Sequence, residues 1–215
     1  MLRIVNVEEI ERLLLAVPGL VDRLERKDAE LDLHAREWLV SLEAALQANR
    51  LPVASTIASL RCQIKAAQQG SVLPGIRISG RLTPRRAVRA VVAESLAAAS
   101  SAVLETIAKD RSRIDEAERM MRQLVARGGS RGLVSVIPPD ALDHGAKLGA
   151  AWRNLRDDEE LGQVAIHVEG LVGPHDSLIL LDRCSTADHG PEALPPGHRA
   201  SLGTLTAPGA ATQEA

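Results

Sequence analysis

One long helical pattern, over residues 84–127, constrains the fold of this chain more than any other feature. Thr83-Pro84 opens it, because threonine can cap a helix and proline is tolerated at the first helical position. Apolar residues then recur on one face until Gly128-Gly129: Val88, Val92, Ala99, Val103, Ile107, Ile114, Ala117, Met121 and Leu124. Such a helix spans about 66 Å at 1.5 Å per residue. It therefore needs other helices packed along its length.

Two earlier segments supply those neighbours. One apolar stripe follows the break at Pro18-Gly19 and runs from Leu20 to about Asn49. The other has the most regular spacing in the chain: Val53, Ile57, Leu60, Ile64 and Ala67. The chain's 32 Ala and 30 Leu also favour helix. We expect a mainly α fold over residues 1–129, an elongated antiparallel helical hairpin or three-helix coiled coil with its tip loop near residues 70–83.

The pattern changes after Gly128-Gly129-Ser130. Residues 133–137 have the composition of a strand, a shorter helix is predicted from Pro138 to about Leu161, and residues 164–168 and 177–181 are two further strand candidates. Residues 173–176 are typical of a turn between them. The sequence thus predicts a small C-terminal α+β module, of β-α-β-β order, over residues 130–183. Residues 184–215, rich in Pro and Gly, are predicted to be a flexible tail.

Charge is strongly segregated along the chain, although the net charge is only −2. Between Ala44 and Ala93 there is no acidic residue, and eight basic residues give this stretch a formal charge of +8. Five of the eight surround the predicted tip loop: Arg77, Arg81, Arg85, Arg86 and Arg89. Arginine is suited to bidentate contacts with carboxylates and phosphates. These five residues are therefore candidate partner-binding residues.

The tip loop is also unusually apolar for a loop at the end of a bundle. Its apolar candidates for partner binding are Leu73, Ile76 and Ile78. Apolar groups that are exposed beside arginines are typical of a contact surface. We therefore predict a non-enzymatic adaptor or structural subunit that docks an acidic protein surface through this loop, with homo-oligomers through the helices as a further expectation.

Three alternatives remain open at this point. The basic segment could neutralise the acidic faces of residues 1–43 and 94–127 within one bundle and bind nothing. The same arginines could contact the phosphates of a nucleic acid without reading its sequence. Residues 133–183 could instead hold an enzyme active site or a ligand site. Salt-dependent binding of DNA or RNA distinguishes the second alternative from the adaptor.

Several other chemistries find no support in the residue pattern. The His, Cys and Asp residues after 166 match no zinc-ligand spacing, and no G-x-x-x-x-G-K-[ST] phosphate loop occurs. No metal and no cofactor are therefore predicted. With no Phe, no Tyr and only Trp38 and Trp152, the chain lacks the aromatic platform on which single-stranded nucleic acids stack.

Location is predicted from the charges near the N-terminus. Arg3, Glu8 and Glu9 interrupt the apolar stretch that a signal peptide requires, and no run of 18 consecutive apolar residues occurs. The two cysteines, Cys62 and Cys184, are far apart in sequence and are expected to stay reduced. We therefore expect a cytoplasmic protein without a membrane partner.

Overall fold

A computed structural model describes residues 1–71, 83–135, 138 and 143–187 of the chain. These residues form helices and connecting turns and contain no strand, which confirms the predicted mainly α class. The helices are α1 (Ile4–Leu14), α2 (Val17–Glu25), α3 (Leu31–Ala48), α4 (Ala54–Gln68), α5 (Pro84–Ser130), α6 (His144–Asp157), α7 (Gly162–Val172) and α8 (Pro174–Ala187).

Helices α3 and α4 form an antiparallel hairpin. Asp32, near the start of α3, accepts a hydrogen bond from Gln68, at the end of α4. Nearer the turn, Arg61 of α4 donates to Glu43 of α3 at 3.0 Å. The regular stripe of α4 faces inward as predicted, and Ile57 and Ile64 are fully buried. This stripe packs on α3 and α5.

Helix α5 is the central helix, and most of the other helices pack on it. Helices α2, α3 and α4 contact it, α1 crosses it near Asp110 and Arg113, and α7 and α8 pack on it as well. Its predicted apolar stripe is buried from Val92 to Leu124. The buried side chains of all these elements form one cluster from Leu2 to Cys184. The division of the chain into two domains at residue 130 stays a prediction.

The predicted end of the long helix, at Arg127, is wrong by one turn. Helix α5 continues through Gly128 and Gly129 to Ser130. A Cβ atom on Gly128 would lie 2.7 Å from Leu155 Cδ2 and 3.1 Å from Val134 Cγ2. Gly128 thus leaves room for the side chains of Leu155 and Val134, so this glycine serves packing rather than helix termination.

The predicted single stripe from Leu20 to Asn49 is also divided. Helix α2 ends at Glu25, and α3 begins at Leu31. Between them Lys27 adopts the left-handed conformation, with φ of 59°. Asp28 stabilises the turn by accepting a hydrogen bond from the Glu30 backbone N–H at 2.9 Å.

The predicted α+β module is wrong, because both described strand candidates are helical. Residues 164–168 lie within α7, and residues 177–181 lie within α8. Burial at Ala165, Val168 and Val172 follows helical spacing, while Ile166, predicted as the centre of a strand, is 48% exposed. Short apolar runs fit both periodicities, so spacing alone did not decide between them.

The remaining parts of this module differ from the prediction in detail. Residues 133–135 are not a strand, and Val136 and Ile137 lie outside the described residues. The helix predicted from Pro138 to Leu161 is α6, which begins at His144 and ends at Asp157. Helix α8 extends through Cys184 to Ala187, so the first residues assigned to the tail are helical. Residues 188–215 lie outside the described part.

Within the part of the chain that the structure describes, two segments have the length and composition of membrane-spanning helices. One is part of α5, and the other is the pair α7 and α8, which meet at an angle of 115°. Core helices of soluble proteins have the same profile. In this structure the apolar stripe of α5 faces α4, α7 and α8, so it has protein neighbours along the helix.

Candidate functional site

The predicted partner-binding residues fall into two groups. The segment between Ser71, just after α4, and Thr83, just before α5, lies outside the described part. Five predicted residues lie between these positions, outside the described part: Leu73, Ile76, Arg77, Ile78 and Arg81. The other three, Arg85, Arg86 and Arg89, lie on the first two turns of α5.

The start of α5 is formed as the sequence predicts. Thr83 is in extended conformation, and its hydroxyl accepts a hydrogen bond from the Arg86 backbone N–H at 3.4 Å. Pro84 follows in the first helical turn, where a missing N–H costs no hydrogen bond. Arg85 and Arg86 are exposed on this turn, and Arg89 is half-buried one turn later.

Arg89 connects this turn to the end of α2. Its Nη2 donates a hydrogen bond to the carbonyl oxygen of Lys27 at 3.2 Å. The left-handed backbone at Lys27 places this carbonyl at the α2–α3 turn. The contact brings two further cations to the same end of the molecule. We call this surface the basic end, defined by Arg26, Lys27, Arg85, Arg86 and Arg89.

No carboxylate among the described residues lies within 4.0 Å of these five cations. The expectation that the basic segment neutralises acidic helices is met at Arg61, which pairs with Glu43 at 3.0 Å. It is not met by the three arginines of α5. Their N–H donors are therefore available to a partner, apart from the one that Arg89 gives to Lys27.

Carboxylates also occur at this end, and two of them already accept hydrogen bonds from neighbouring side chains. Asp28 accepts from Arg23 at 2.6 Å. The hydrogen bond from the Glu30 backbone, followed by that from Arg23, holds the pKa of the Asp28 carboxyl below its ordinary value. Asp32 accepts from Gln68, whereas Asp22 and Glu25 are exposed. The arginines at the start of α5 thus lie in a mixed-charge setting.

Sequence reasoning missed Arg26 and Lys27. They belong to residues 1–43, whose formal charge is −4. A charge count over that whole stretch does not reveal two adjacent cations within it. The sequence feature that points to them is the triplet Arg26-Lys27-Asp28 at the end of a helical stripe. Two adjacent cations at a helix end lie close to the start of another helix that packs beside that end. The relation of this triplet to Arg89, 62 residues away, is tertiary and has no local signature.

The third alternative placed an enzyme or ligand site in residues 133–183, and polar contacts lie in and beside this range. His144 lies between two acceptors, with Nδ1 at 3.0 Å from the Pro138 carbonyl and Nε2 at 3.0 Å from Asp182. Ser185 donates to the Asp182 backbone carbonyl at 3.0 Å. Among the described residues no group of three His, Cys, Asp or Glu side chains is arranged to hold a metal ion. The contact between His144 and Asp182 joins α6 to α8.

Comparison with known proteins supplies no relative, since no family model, no curated protein and no solved structure matches the chain. Function therefore has to be inferred from the residues and their geometry.

Proposed function

We propose that the chain is a non-enzymatic adaptor or structural subunit that docks an acidic partner protein through the basic end. The observation that supports this most is the gathering of five cations at one end with no carboxylate within 4.0 Å among the described residues. Arg77, Arg81, Leu73, Ile76 and Ile78 lie outside the described part, between α4, whose Gln68 donates to Asp32, and Thr83, which accepts from the Arg86 N–H.

The helical arrangement supports the role of an elongated scaffold. Helices α3 and α4 are antiparallel, and α5 packs on α4. With 47 residues, α5 spans about 70 Å. We therefore propose an elongated antiparallel bundle with the basic end at one extremity. Since the buried stripe of α5 faces other helices, we place the protein in the cytoplasm with α5 as a core helix.

Arginine chemistry supports carboxylates as the target. A guanidinium group presents N–H donors in a planar fork that matches a carboxylate in a bidentate contact. The amino end of α5 adds a partial positive charge to the same surface. Anions placed there gain from both effects, and the gain decreases as salt screens the charges.

The test compares two triple variants on the same helix. The first carries Arg85→Ser, Arg86→Ser and Arg89→Ser. The matched control carries Arg119→Ser, Arg122→Ser and Arg127→Ser, which removes three exposed arginines from the carboxyl-terminal third of α5. We expect the first variant to lose the protein that co-purifies with the wild type at low salt, and the control to retain it. Equal recovery by both triple variants and the wild type would contradict the proposal.

Nucleic acid is the second candidate partner, because the same guanidinium groups can bind phosphates. Binding of a duplex DNA of arbitrary sequence is then measured over a range of salt concentrations. If phosphate contacts carry the function, the logarithm of the affinity falls steeply with the logarithm of salt concentration. The Arg85, Arg86 and Arg89 triple variant should make that slope shallower by about 0.9 for each phosphate that is no longer bound. A salt-independent or undetectable interaction excludes this candidate.

A further inference from the structure

The first half of α5 carries more apolar side chains than the core takes up. One 18-residue stretch of this helix has a mean hydropathy of 1.5, yet only 39% of that stretch is buried. It lies within residues 87–108, because every 18-residue window of α5 that extends beyond them contains more than two charged residues. Apolar residues on the side of α5 that faces away from the core are therefore concentrated in this half.

The side of α5 that faces away from the core is uncovered there. Five residues at helical spacing along it are exposed, and we call them the outer face: Glu94, Ala97, Ser101, Leu104 and Ala108. Leu104 is 38% exposed. The buried residues Val92, Ala99 and Val103 lie on the opposite side of the helix, toward the other helices. The outer face thus contacts no other described helix closely enough to be buried.

Residue sizes along the outer face suit a second copy of the same helix in antiparallel orientation. With a two-fold axis at Ser101, residues at equal distances before and after Ser101 face each other across the pair. Leu104 of each copy then lies opposite Ala97 of the other, to within one residue, and the small Ser101 lies at the axis. Large side chains opposite small ones pack closely. A parallel pair in register would instead set Leu104 against Leu104 and leave a gap between the two Ala97 residues.

Charges beside the outer face favour the same orientation. Glu94 lies seven residues before Ser101 and Lys109 eight residues after it, so the antiparallel pair brings each Glu94 to Lys109 of the other copy. Among the described residues, neither has an opposite charge within 4.0 Å. Glu105 lies one turn before Lys109, so in the pair the ammonium group stands between two carboxylates. A parallel pair would place like charges side by side, which is unfavourable.

We propose that two copies of this chain associate through the outer face of α5, with the two helices antiparallel about a two-fold axis at Ser101. Both copies bury the same residues in such an interface. Each copy contributes a single helix, so the interface is small and association is expected at micromolar concentrations. Arg86 lies 15 residues before the axis, so the two basic ends are about 45 Å apart along the pair. The pairing does not depend on the proposed docking function.

Sedimentation equilibrium of the full chain, from about 1 µM to about 200 µM, measures the association. The decisive variant is Ser101→Glu, which sets two carboxylates against each other at the axis and changes an exposed residue of the single chain. Its matched control is Ser41→Glu, the same change at an exposed serine of α3. We expect Ser101→Glu to raise the dissociation constant at least about ten-fold and Ser41→Glu to stay within about two-fold of the wild type. Circular dichroism checks that both variants keep their helices.

Exchanging the charges tests the orientation separately. Glu94→Lys and Lys109→Glu each place like charges together in the antiparallel pair, so each should raise the dissociation constant at least about three-fold. The double variant restores opposite charges across the pair, and we expect it to recover most of the affinity. In a parallel pair the double variant would still place like charges side by side. A double variant that associates no better than either single variant would therefore overturn the antiparallel arrangement.

Three further outcomes would overturn the pairing. One is a wild type that stays monomeric at about 200 µM. Another is a Ser101→Glu variant that associates as the wild type does. The third is that the wild type floats with phosphatidylcholine vesicles whereas Ser101→Glu does not, which would assign the outer face to a lipid bilayer. Glu94 and Glu105 argue against that assignment, because carboxylates are costly inside a bilayer.

Discussion

Arginines at two places along α5 are used in opposite ways. In the second half of the helix, Arg113 donates to Asp110 at 2.8 Å, to the Leu2 carbonyl at 2.9 Å and to the Leu171 carbonyl. Its side chain is only 17% exposed. At the amino end Arg85 and Arg86 are exposed, and Arg89 makes one contact, to the Lys27 carbonyl.

This contrast separates arginines that hold the fold together from arginines that are available to a partner. Asp110 and Arg113 bind both backbone polar groups of Leu2, so they fix the start of α1 on α5. Asp176 of α8 adds a second tie by accepting from the Ile4 backbone N–H at 2.8 Å and from Arg3 at 3.2 Å. The basic end contains no comparable set of ties among the described residues.

The largest effect is expected from Arg113→Ala. It leaves two carbonyl oxygens without this donor and the partly buried Asp110 carboxylate with only the Leu2 N–H, so the free energy of unfolding should fall by about 3 kcal/mol. Urea denaturation measures the loss, and Arg119→Ala, an exposed arginine further along the same helix, is the control. A loss below about 1 kcal/mol would mean that Arg113 is as dispensable as the arginines of the basic end.

A somewhat smaller loss is expected from Asp176→Ala. The residue is 2% exposed, and its carboxylate accepts hydrogen bonds from the Ile4 backbone and from Arg3 that secure α1. We expect a loss of about 2 kcal/mol, with faster hydrogen exchange at the Ile4 amide. The control is Asp157→Ala, which removes an exposed carboxylate. Equal stability of the two variants would show that Asp176 does not hold α1 in place.

Glu11 gives a pH-dependent effect of smaller size. Burial raises the pKa of its carboxyl above the ordinary value and outweighs the lowering by Arg111. The folded state then holds this proton more tightly than the unfolded chain, so the stability of the wild type falls as pH rises through the range in which the carboxyl ionises. Glu11→Gln should gain up to about 1 kcal/mol relative to the wild type between about pH 4 and about pH 7. Thermal unfolding of the wild type and the variant at the two pH values measures this difference. A lower stability of Glu11→Gln at about pH 7 would show that the interaction with Arg111 outweighs the cost of burial.

The smallest change in stability is expected from substitutions at the basic end, where the arginines pair with no described carboxylate. The triple Arg85→Ser, Arg86→Ser and Arg89→Ser variant should change the free energy of unfolding by less than about 0.5 kcal/mol per residue. Three substitutions at the basic end would then matter less to stability than Arg113 alone. A marked fall in melting temperature would instead show that these arginines neutralise acidic helices within the bundle.

The sequence predicts the long helices well because their apolar spacing repeats many times. Ile57, Leu60 and Ile64 are buried as their stripe requires, and Thr83-Pro84 begins α5 as predicted. The C-terminal helices are short and apolar, so Val164 and Val168 fit a strand and a helix equally well. Tertiary packing decides there, since one face of α7 is buried against α5, α6 and α8.

Only part of the candidate site could be predicted from the sequence. Counting charges along the sequence identifies Arg85, Arg86 and Arg89, because they lie between Ala44 and Ala93, where the chain contains no acidic residue. Arg26 and Lys27 join them only through the left-handed turn at Lys27 and its contact with Arg89.

Helix α5 also acts as a molecular spacer, because a single uninterrupted element carries both the basic end and the seat of α7 and α8. Arg89 of the basic end and Arg113, which donates to the Leu171 carbonyl of α7, are 24 residues apart on this helix, or about 36 Å. A flexible linker of equal length would let that distance vary widely. The basic end therefore has a set distance and angular position relative to the C-terminal helices, and inserting or removing one residue near Ser101 would rotate one of these two places relative to the other by about 100°.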